Sequence, residues 1–338
     1  MLEAFAERQG RRVPGLVVGA IGSSGGQLAV VGTGQRELPN GPAPDGSTLF
    51  EIGSISKVYT GLLLAIAVLR GEVSLDTPVR ELLPPGATVP RREGREITLE
   101  QLSTHCSGLP RSPVRLADEL VIVLRERGNP YAEVTEERLL EILGRTRLRR
   151  PPGSGRPAYS NLGAGLLGLA LVRAAAASSY GELVRQRISG PLGLSDTGDL
   201  AQVAAAPDRA ARLAAGYGWR RRPARHWSLT GLAGAGALLS TAEDTLRFLQ
   251  AQLAPDSTGL GQAIALTQQP RAGDRRFSVG LGWIRSSTRQ GDVVWHNGGT
   301  TGFRSFAGFR PDRAAAVVML ANSHRGSDRA ALSLLTRL

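Results

Sequence analysis

The chain has 338 residues, 41% of them hydrophobic, which is enough for a sizeable core, and its net charge is +12. Its arginines are spread along the whole chain and only 5% of its residues are aromatic, which argues against a nucleic-acid-binding protein. No apolar stretch reaches the roughly 18 residues of a membrane span, and the single cysteine, Cys106, excludes an intrachain disulfide. The polar start, residues 1–13, lacks a secretory signal, so the sequence as written predicts a cytoplasmic protein, or a periplasmic or secreted one if a leader was removed.

The predicted elements begin with two β-rich stretches, residues 14–22 and 27–33, joined by a Ser-Ser-Gly-Gly turn at 23–26. A helix is predicted over residues 54–70, and its apolar residues on nearly every face indicate that it is buried in the centre of the protein. Residues 75–230 have the pattern of helices and Pro/Gly loops. After them the pattern predicts a helix from a capping box at 240–244 to about 253, strands near 278–285, 293–296, 303–309 and 315–321, and a last helix after Ser327.

Strands near both ends of the chain, with helices between them, predict an α+β fold. In this fold an antiparallel sheet flanked by helices is built from residues 1–74 and 231–338, and residues 75–230 form an inserted all-helical lobe. A crevice between two such lobes is a favoured place for a ligand, so we expect the active site there.

The most informative feature of the composition is the lysine content. Of the 41 basic residues, 40 are arginine, and Lys57 is the only lysine. Surface cations in this chain can therefore be arginine, which suggests that Lys57 does something arginine cannot do. Arginine stays protonated in proteins, whereas a buried lysine can lose its proton and act as a base.

Lys57 belongs to the tetrad Ser54-Ile55-Ser56-Lys57 at the start of the predicted buried helix. Residues three apart lie on one helical face, so the Ser54 hydroxyl and the Lys57 amine are expected to meet. An uncharged amine is a plausible base for the hydroxyl, and the N–H groups at a helix N-terminus favour the oxyanion that acyl transfer creates. The tetrad therefore predicts Ser54 as the nucleophile of an acyl-transfer reaction.

Residues 50–57 (FEIGSISK) resemble the nucleophile segment of the penicillin-recognising serine hydrolases, which include class C β-lactamases, D-alanyl-D-alanine carboxypeptidases, D-aminopeptidases and β-lactamase-like esterases. Two further motifs follow in the family's order: Tyr159-Ser160-Asn161 matches its Tyr-x-Asn, and His296-Asn297-Gly298 matches its Lys/His-x-Gly strand. Residues 102–110 (LSTHCSGLP), 191–197 (PLGLSDT) and 230–244 also fit. The resemblance covers roughly residues 15–335 and implies a β-lactamase/transpeptidase-like fold.

The resemblance also implies the roles of individual residues. Tyr159 shares a proton network with Lys57, and a neighbouring ammonium is expected to lower the pKa of its phenol. Which of the two takes the serine proton stays open. The backbone N–H groups of Ser54 and Gly299 are the implied oxyanion hole. The implied substrate-binding residues are Asn161, His296, Asn297 and Gly298.

Two departures from the family pattern bear on the substrate. Position 296 is histidine where typical β-lactamases have lysine, and a neutral histidine is a weaker anchor for a substrate carboxylate. The Glu-x-x-Leu-Asn element of class A enzymes is also missing downstream of Tyr159. Both observations argue against an efficient antibiotic-destroying β-lactamase. Arg285 and Arg304 are candidates for a carboxylate-binding cation, with no preference between them.

Other motif matches have the wrong context. Ser24 lies in a G-x-S-x-G match, but a nucleophile elbow needs a following helix and residues 27–31 are predicted as a strand. The G-x-G-x-x-G match at 163–168 follows a loop, so it does not indicate a dinucleotide site. The four histidines and Cys106 have no metal-ligand spacing, so neither metal nor cofactor is predicted.

The sequence thus predicts a serine hydrolase that acts through a Ser54 acyl-enzyme on a small ester, amide or peptide, with an ester or short D-amino-acid peptide favoured over a β-lactam. Two alternatives stay open: an acyltransferase that passes the acyl group to an amine or alcohol, and a β-lactam or peptidoglycan sensor that acylates without turnover. No nucleic-acid partner or membrane span is predicted, and the sequence does not indicate an oligomeric state.

Overall fold

The computed structural model describes residues 1–22, 28–123 and 128–338. The predicted turn at 23–26 and the alternative nucleophile Ser24 lie outside these residues. The strands are β1 (Gly15–Ile21), β2 (Leu28–Gly34), β3 (Phe50–Glu51), β4 (Gly198–Asp199), β5 (Gly216–Tyr217), β6 (Pro223–Ala224), β7 (Leu238–Ser240), β8 (Ala272–Gly273), β9 (Phe277–Val279), β10 (Ile284–Thr288), β11 (Gly291–Gly299), β12 (Arg304–Arg310) and β13 (Ala315–Ala321).

The helices complete the set of regular elements. They are α1 (Leu2–Gly10), α2 (Ser56–Leu69), α3 (Leu99–Ser103), α4 (Leu116–Val121), α5 (Glu136–Arg145), α6 (Asn161–Ala174), α7 (Tyr180–Val184), α8 (Leu200–Ala204), α9 (Pro207–Ala211), α10 (Ala233–Gly236), α11 (Ala242–Leu253), α12 (Gly261–Gln268) and α13 (Asp328–Leu335). A 3-10 turn, Gly53–Ile55, leads directly into α2. Among the helices of the described ranges, none has the length and apolarity needed to cross a membrane.

The main sheet joins the two ends of the chain. Within the described residues it has eight strands in the order β2-β1-β13-β12-β11-β10-β9-β8, and every neighbouring pair is antiparallel. The predicted antiparallel sheet from both termini is therefore confirmed. Its central strand β13 is buried along its whole length because helices cover both faces.

The two faces of the sheet carry different helices. Alternate residues of a strand point to opposite faces, and Val318 and Leu320 of β13 pack in the large core that contains α2 and α11. Met319 points the other way, into a smaller core formed with α1 and α13. As predicted, α2 is almost wholly buried, and only its last turn reaches the surface.

Three predictions about local structure need correction. The strand predicted at 278–285 is two strands, β9 and β10, because the chain turns between them with Gly282 at φ +83°. The segment 75–230 is not purely helical, since the two-residue strand β4 pairs with β7 and the strands β5 and β6 pair with each other. Helix α1 was not predicted, because only Phe5 and Ala6 of its polar sequence are buried.

The helix predicted near 240 is present, but its capping differs in detail. Thr241 is the N-cap and its hydroxyl accepts the Asp244 N–H at 3.1 Å. The Asp244 carboxylate does not reach back to the cap, because it accepts hydrogen bonds from the Asp196 N–H and the Thr197 hydroxyl instead. The cap is therefore one-sided rather than a complete capping box.

Candidate active site

The predicted nucleophile lies on a tight turn against the end of β11. Ser54 is in the 3-10 turn that precedes α2, so it does not act as the helix N-cap. Gly53 has φ +50°, and a Cβ on it would lie 2.8 Å from the Gly299 nitrogen. Glycine is therefore needed here both for the backbone conformation and for the close approach of the two segments.

The Lys57 amine contacts three oxygen atoms. Its Nζ is 3.0 Å from Ser54 Oγ, 2.9 Å from Asn161 Oδ1 and 2.7 Å from the Ala235 carbonyl oxygen. The Lys57 side chain is only 3% exposed, and burial, followed by the positive charge of Arg111, holds its pKa well below the ordinary value. The structure therefore brings the hydroxyl and the amine together as the sequence predicts.

Tyr159 lies beside the Ser54–Lys57 pair. Its ring centroid is 4.8 Å from Lys57 Nζ, and it lines the same cleft as Ser54. Burial raises the pKa of Tyr159 to about 12, and the nearby Ser54 hydroxyl and the charge of Arg111 offset only part of this rise. The predicted lowering of the phenol pKa is thus wrong, because burial outweighs the nearby positive charge.

The orientation of Asn161 is set by a chain of hydrogen bonds. Its Oδ1 accepts from Lys57, so its Nδ2 faces the other way and donates to the Tyr131 hydroxyl at 3.2 Å. Tyr131 in turn donates to Glu119 Oε1 at 3.1 Å. Asn161 itself begins α6, whose N-cap Ser160 accepts the Gly163 N–H, so its backbone is fixed as well.

His296 lies behind the cleft rather than in its wall. It is 1% exposed, its ring centroid is 6.3 Å from that of Tyr159, and its Nδ1–H donates to the Asn297 carbonyl at 2.6 Å. Burial, and secondarily the charge of Lys57, lowers the pKa of His296 to about 3. The ring is therefore neutral at ordinary pH, and its substrate-binding role stays a prediction.

The glycines after His296 allow β11 to pack against the nucleophile turn. A Cβ on Gly298 would lie 2.0 Å from the Ile52 carbonyl oxygen, and this carbonyl also accepts a hydrogen bond from the Ser305 hydroxyl. Asn297 donates through Nδ2 to Asp328 at 2.6 Å. The end of β11 is thus held by the nucleophile turn on one side and by Asp328 on the other.

The cations predicted from the sequence already have partners. Arg285 pairs with Asp292, and Arg304 pairs with Asp328. Arg111 is different: its guanidinium lies 5.1 Å from the centre of the Tyr159 ring and pairs with no carboxylate among the described residues. It directly follows the LSTHCSGLP segment, but nothing in the sequence distinguished it from the other arginines.

These residues surround a cleft of about 440 Å³. Of the residues predicted from the sequence, those that line it are Ser54, Tyr159, Asn161, Asn297, Gly298, Gly299 and Arg304. Lys57 lies beneath the floor in contact with Ser54. The polar and aromatic lining residues that the sequence interpretation missed are Arg111, Glu119, Tyr131 and Trp227. They belong to no motif, because they come from loops and short helices that only the tertiary structure brings together.

A buried helix that starts with a paired serine and lysine, beside an antiparallel sheet, defines a β-lactamase/transpeptidase-like protein. The same fold is found in the crystal structure of the β-lactamase/D-alanine carboxypeptidase from Pseudomonas syringae, with a TM-score of 0.81 and 22% identity over 99% of this chain and 98% of that one. The chain belongs to the Beta-lactamase family, whose family model matches residues 2–338.

Two curated relatives illustrate the range of the family. The chain is 30% identical to the D-alanyl-D-alanine-carboxypeptidase/endopeptidase AmpH of Escherichia coli (strain K12), over 86% of this chain and 74% of that protein. It is 27% identical to a Beta-lactamase of the same organism, over 93% of this chain and 85% of that protein.

Proposed function

We propose that the chain is a serine hydrolase in which Ser54 Oγ attacks the carbonyl carbon of an ester or amide and forms an acyl-enzyme. The observation that carries this proposal is the 3.0 Å contact between Ser54 Oγ and Lys57 Nζ, an amine whose pKa is held well below its ordinary value. The names of the relatives, which include a carboxypeptidase and a Beta-lactamase, support the same class of reaction.

The contacts of Lys57 fit a neutral amine, the form that burial and the charge of Arg111 favour by lowering its pKa. Asn161 Oδ1 and the Ala235 carbonyl can only accept hydrogen bonds, so together they use two N–H groups of the amine. A neutral amine has two N–H groups and one lone pair. With both N–H groups used, the lone pair is left to face Ser54 Oγ. Lys57 can then accept the serine proton as a general base. Tyr159, with its pKa raised to about 12, is mainly a phenol at neutral pH and a less suitable base.

The remaining steps follow from this arrangement. As the Ser54 Oγ–carbon bond forms, the proton passes to Lys57 and the carbonyl oxygen becomes an oxyanion, which we expect the N–H groups of Ser54 and Gly299 to bind. The protonated network then gives a proton to the leaving alcohol or amine as its bond to the carbonyl carbon breaks. Water hydrolyses the ester that is left on Ser54.

The charges of the cleft favour a small substrate with a carboxylate. Arg111 has no carboxylate partner in the described part of the chain, whereas Arg304 is paired and His296 is neutral. A short D-amino-acid peptide or a carboxylate-bearing ester would pair with Arg111. Because His296 is neutral where typical β-lactamases have lysine, a β-lactam is the poorer substrate.

Intact-mass spectrometry tests the proposal directly. The protein is exposed to a panel of p-nitrophenyl esters, a chromogenic cephalosporin and D-Ala peptides, and products are analysed with and without an added amine or alcohol. We expect an acyl adduct that maps to the peptide carrying Ser54, and hydrolysed product. Transfer of the acyl group to the added amine or alcohol would favour the acyltransferase alternative, and a persistent adduct without product would favour the sensor. An adduct on another residue would refute the proposal.

The pH dependence of acylation follows from the state of Lys57. Only the neutral amine has a lone pair for the serine proton, so kcat/KM is expected to fall as acid protonates Lys57. Because the pKa of Lys57 is lowered, this fall lies well below the ordinary lysine range. Stopped-flow measurement of acylation between pH 4 and 10 checks it. A rate that rises only above about pH 9–10 would indicate an ordinary lysine pKa instead.

A further inference from the structure

We propose that a second cavity, on the sheet face covered by α1 and α13, binds a small phosphate-bearing molecule with an apolar part. The cavity has a volume of about 510 Å³ and shares no lining residue with the catalytic cleft. Its apolar lining residues are Val13, Leu16, Met319 and Ala321, each at most 5% exposed. The cavity therefore lies over β1 and β13, between the end of α1, the β5–β6 turn and the segment that precedes α13.

The polar lining of this cavity is strongly positive. Three separate segments contribute five arginines: Arg11, Arg12, Arg220, Arg221 and Arg325. None of the five pairs with a carboxylate in the part of the chain that the structure describes. Asp328, three residues after Arg325, already pairs with Arg304 and accepts a hydrogen bond from Asn297. Because like charges repel each other, an anion is the natural ligand for such a lining.

The arginines of the loop after β5 are held in an unfavourable backbone conformation. Arg220 and Arg221 have φ of +56° and +57°, a left-handed conformation that is uncommon for single non-glycine residues. The loop is closed at its base by the hydrogen bond from the Gly218 N–H to the Arg222 carbonyl. Positive φ at two consecutive residues is what a tight hairpin turn requires, and Arg220 and Arg221 are the central residues of the turn that joins β5 to β6. The turn therefore holds both arginines side by side at the wall of the cavity.

The lining also indicates the chemistry of the ligand. A phosphate offers three oxygens to several guanidinium groups at once, whereas a carboxylate offers two, so arginines from three segments favour phosphate. The buried apolar floor would gain from contact with a hydrocarbon part. Arg325 is already held in place, since its guanidinium lies 5.0 Å from the centre of the Trp219 ring.

Calorimetric titration of the whole protein with inorganic phosphate, hexyl phosphate and hexanol tests this site. We expect hexyl phosphate to bind more tightly than phosphate, and hexanol not to bind measurably. The variant Arg220→Gln/Arg221→Gln should weaken hexyl phosphate binding by about tenfold or more. The matched control is Arg275→Gln/Arg276→Gln, which removes two consecutive exposed arginines far from the cavity lining. The proposal is overturned if hexyl phosphate does not bind or if both variants weaken it equally.

A glycine variant separates binding from folding. Glycine adopts positive φ without strain, so Arg220→Gly/Arg221→Gly is expected to raise the Tm of the ligand-free protein while weakening hexyl phosphate binding. A protein that keeps its affinity after this change would show that the two arginines do not form the site.

A second inference rests on the proposed hydrolysis and concerns Glu119. We infer that this carboxylate is a positioning residue for Lys57, acting through Tyr131 and Asn161. A carboxylate can only accept, so it fixes the Tyr131 hydroxyl as a donor towards it. The lone pairs of that hydroxyl then face Asn161 Nδ2, which leaves Asn161 Oδ1 for the Lys57 amine.

Without Glu119, the direction of the hydrogen bond between Tyr131 and Asn161 is no longer fixed. The Tyr131 hydroxyl could then donate to Asn161 Oδ1, and the amide would turn its NH₂ group to Lys57. The lone pair of the amine would be drawn to that group and away from Ser54. Glu119→Ala is therefore expected to lower the acylation rate by about tenfold, whereas Glu119→Gln, whose amide oxygen can still accept, should retain most of it.

Stopped-flow acylation of a neutral p-nitrophenyl ester distinguishes this role from a general effect of charge. Asp118→Ala is the control, since it removes the same charge from the adjacent exposed residue. In a Tyr131→Phe background, Glu119→Ala should have no further effect, because its influence passes through the hydroxyl. Equal rates for Glu119→Ala and Asp118→Ala, or an undiminished loss in the Tyr131→Phe background, would refute the inference. A wild-type acyl-enzyme on Ser54 would leave the proposed function standing in either case.

Discussion

Lys57→Arg is expected to remove acylation almost completely, lowering kcat/KM by about 10²–10⁴-fold, the usual contribution of a general base. The substitution keeps a long basic side chain but removes the ability to lose a proton, because a guanidinium stays protonated in proteins. It also replaces the one lysine among 41 basic residues by the residue that the chain uses elsewhere. Stopped-flow acylation with a p-nitrophenyl ester measures the loss.

The guanidinium is larger than the amine, so a second variant is needed to separate chemistry from packing. Lys57→Met has nearly the same length, no charge and no lone pair that could act as a base at this position. Because it also avoids burying an amine, we expect Lys57→Met to be inactive but at least as stable as the wild type in thermal unfolding. If either variant hydrolyses the ester at the wild-type rate, Lys57 is not the base.

The sequence predicted the Ser54–Lys57 pair from local geometry, and Tyr159 and Asn161 from their motif. Ser54 and Lys57 are one helical turn apart, so their contact follows from helix geometry once the segment is recognised as a helix. The long strands and α2 were also predictable, because their hydrophobic patterns are strong. The prediction that the chain divides into lobes at residues 74 and 230 stays a prediction.

The parts that the sequence did not predict depend on tertiary contacts. Glu119 and Tyr131 belong to different segments, and neither matches a motif, so only the fold shows that they meet at Asn161. The state of Tyr159 was predicted wrongly for a similar reason. A nearby charge can be inferred from a motif, whereas the depth of burial, which raises its pKa, cannot.

Ser54→Ala and Ser56→Ala form a pair that separates reaction chemistry from folding. Ser54 is half-buried at the cleft, and its hydroxyl contacts the Lys57 amine. Ser54→Ala is therefore expected to lower kcat by about 10⁴-fold or more and to abolish the acyl adduct. Its free energy of unfolding should change by less than about 1 kcal/mol, since water in the cleft can replace the lost hydroxyl.

Ser56→Ala is expected to have the opposite profile. Ser56 is fully buried, and its hydroxyl oxygen accepts the N–H of Leu238, the first residue of β7, at 3.1 Å. Removing this oxygen leaves a buried donor without a partner and should cost about 1–3 kcal/mol in the free energy of unfolding. Acylation at Ser54 should persist, because the Ser56 hydroxyl does not contact Lys57. Chemical denaturation and intact-mass spectrometry on the same two variants test both predictions. An acyl adduct on Ser54→Ala, or the loss of the adduct in a folded Ser56→Ala, would show that Ser54 is not the nucleophile.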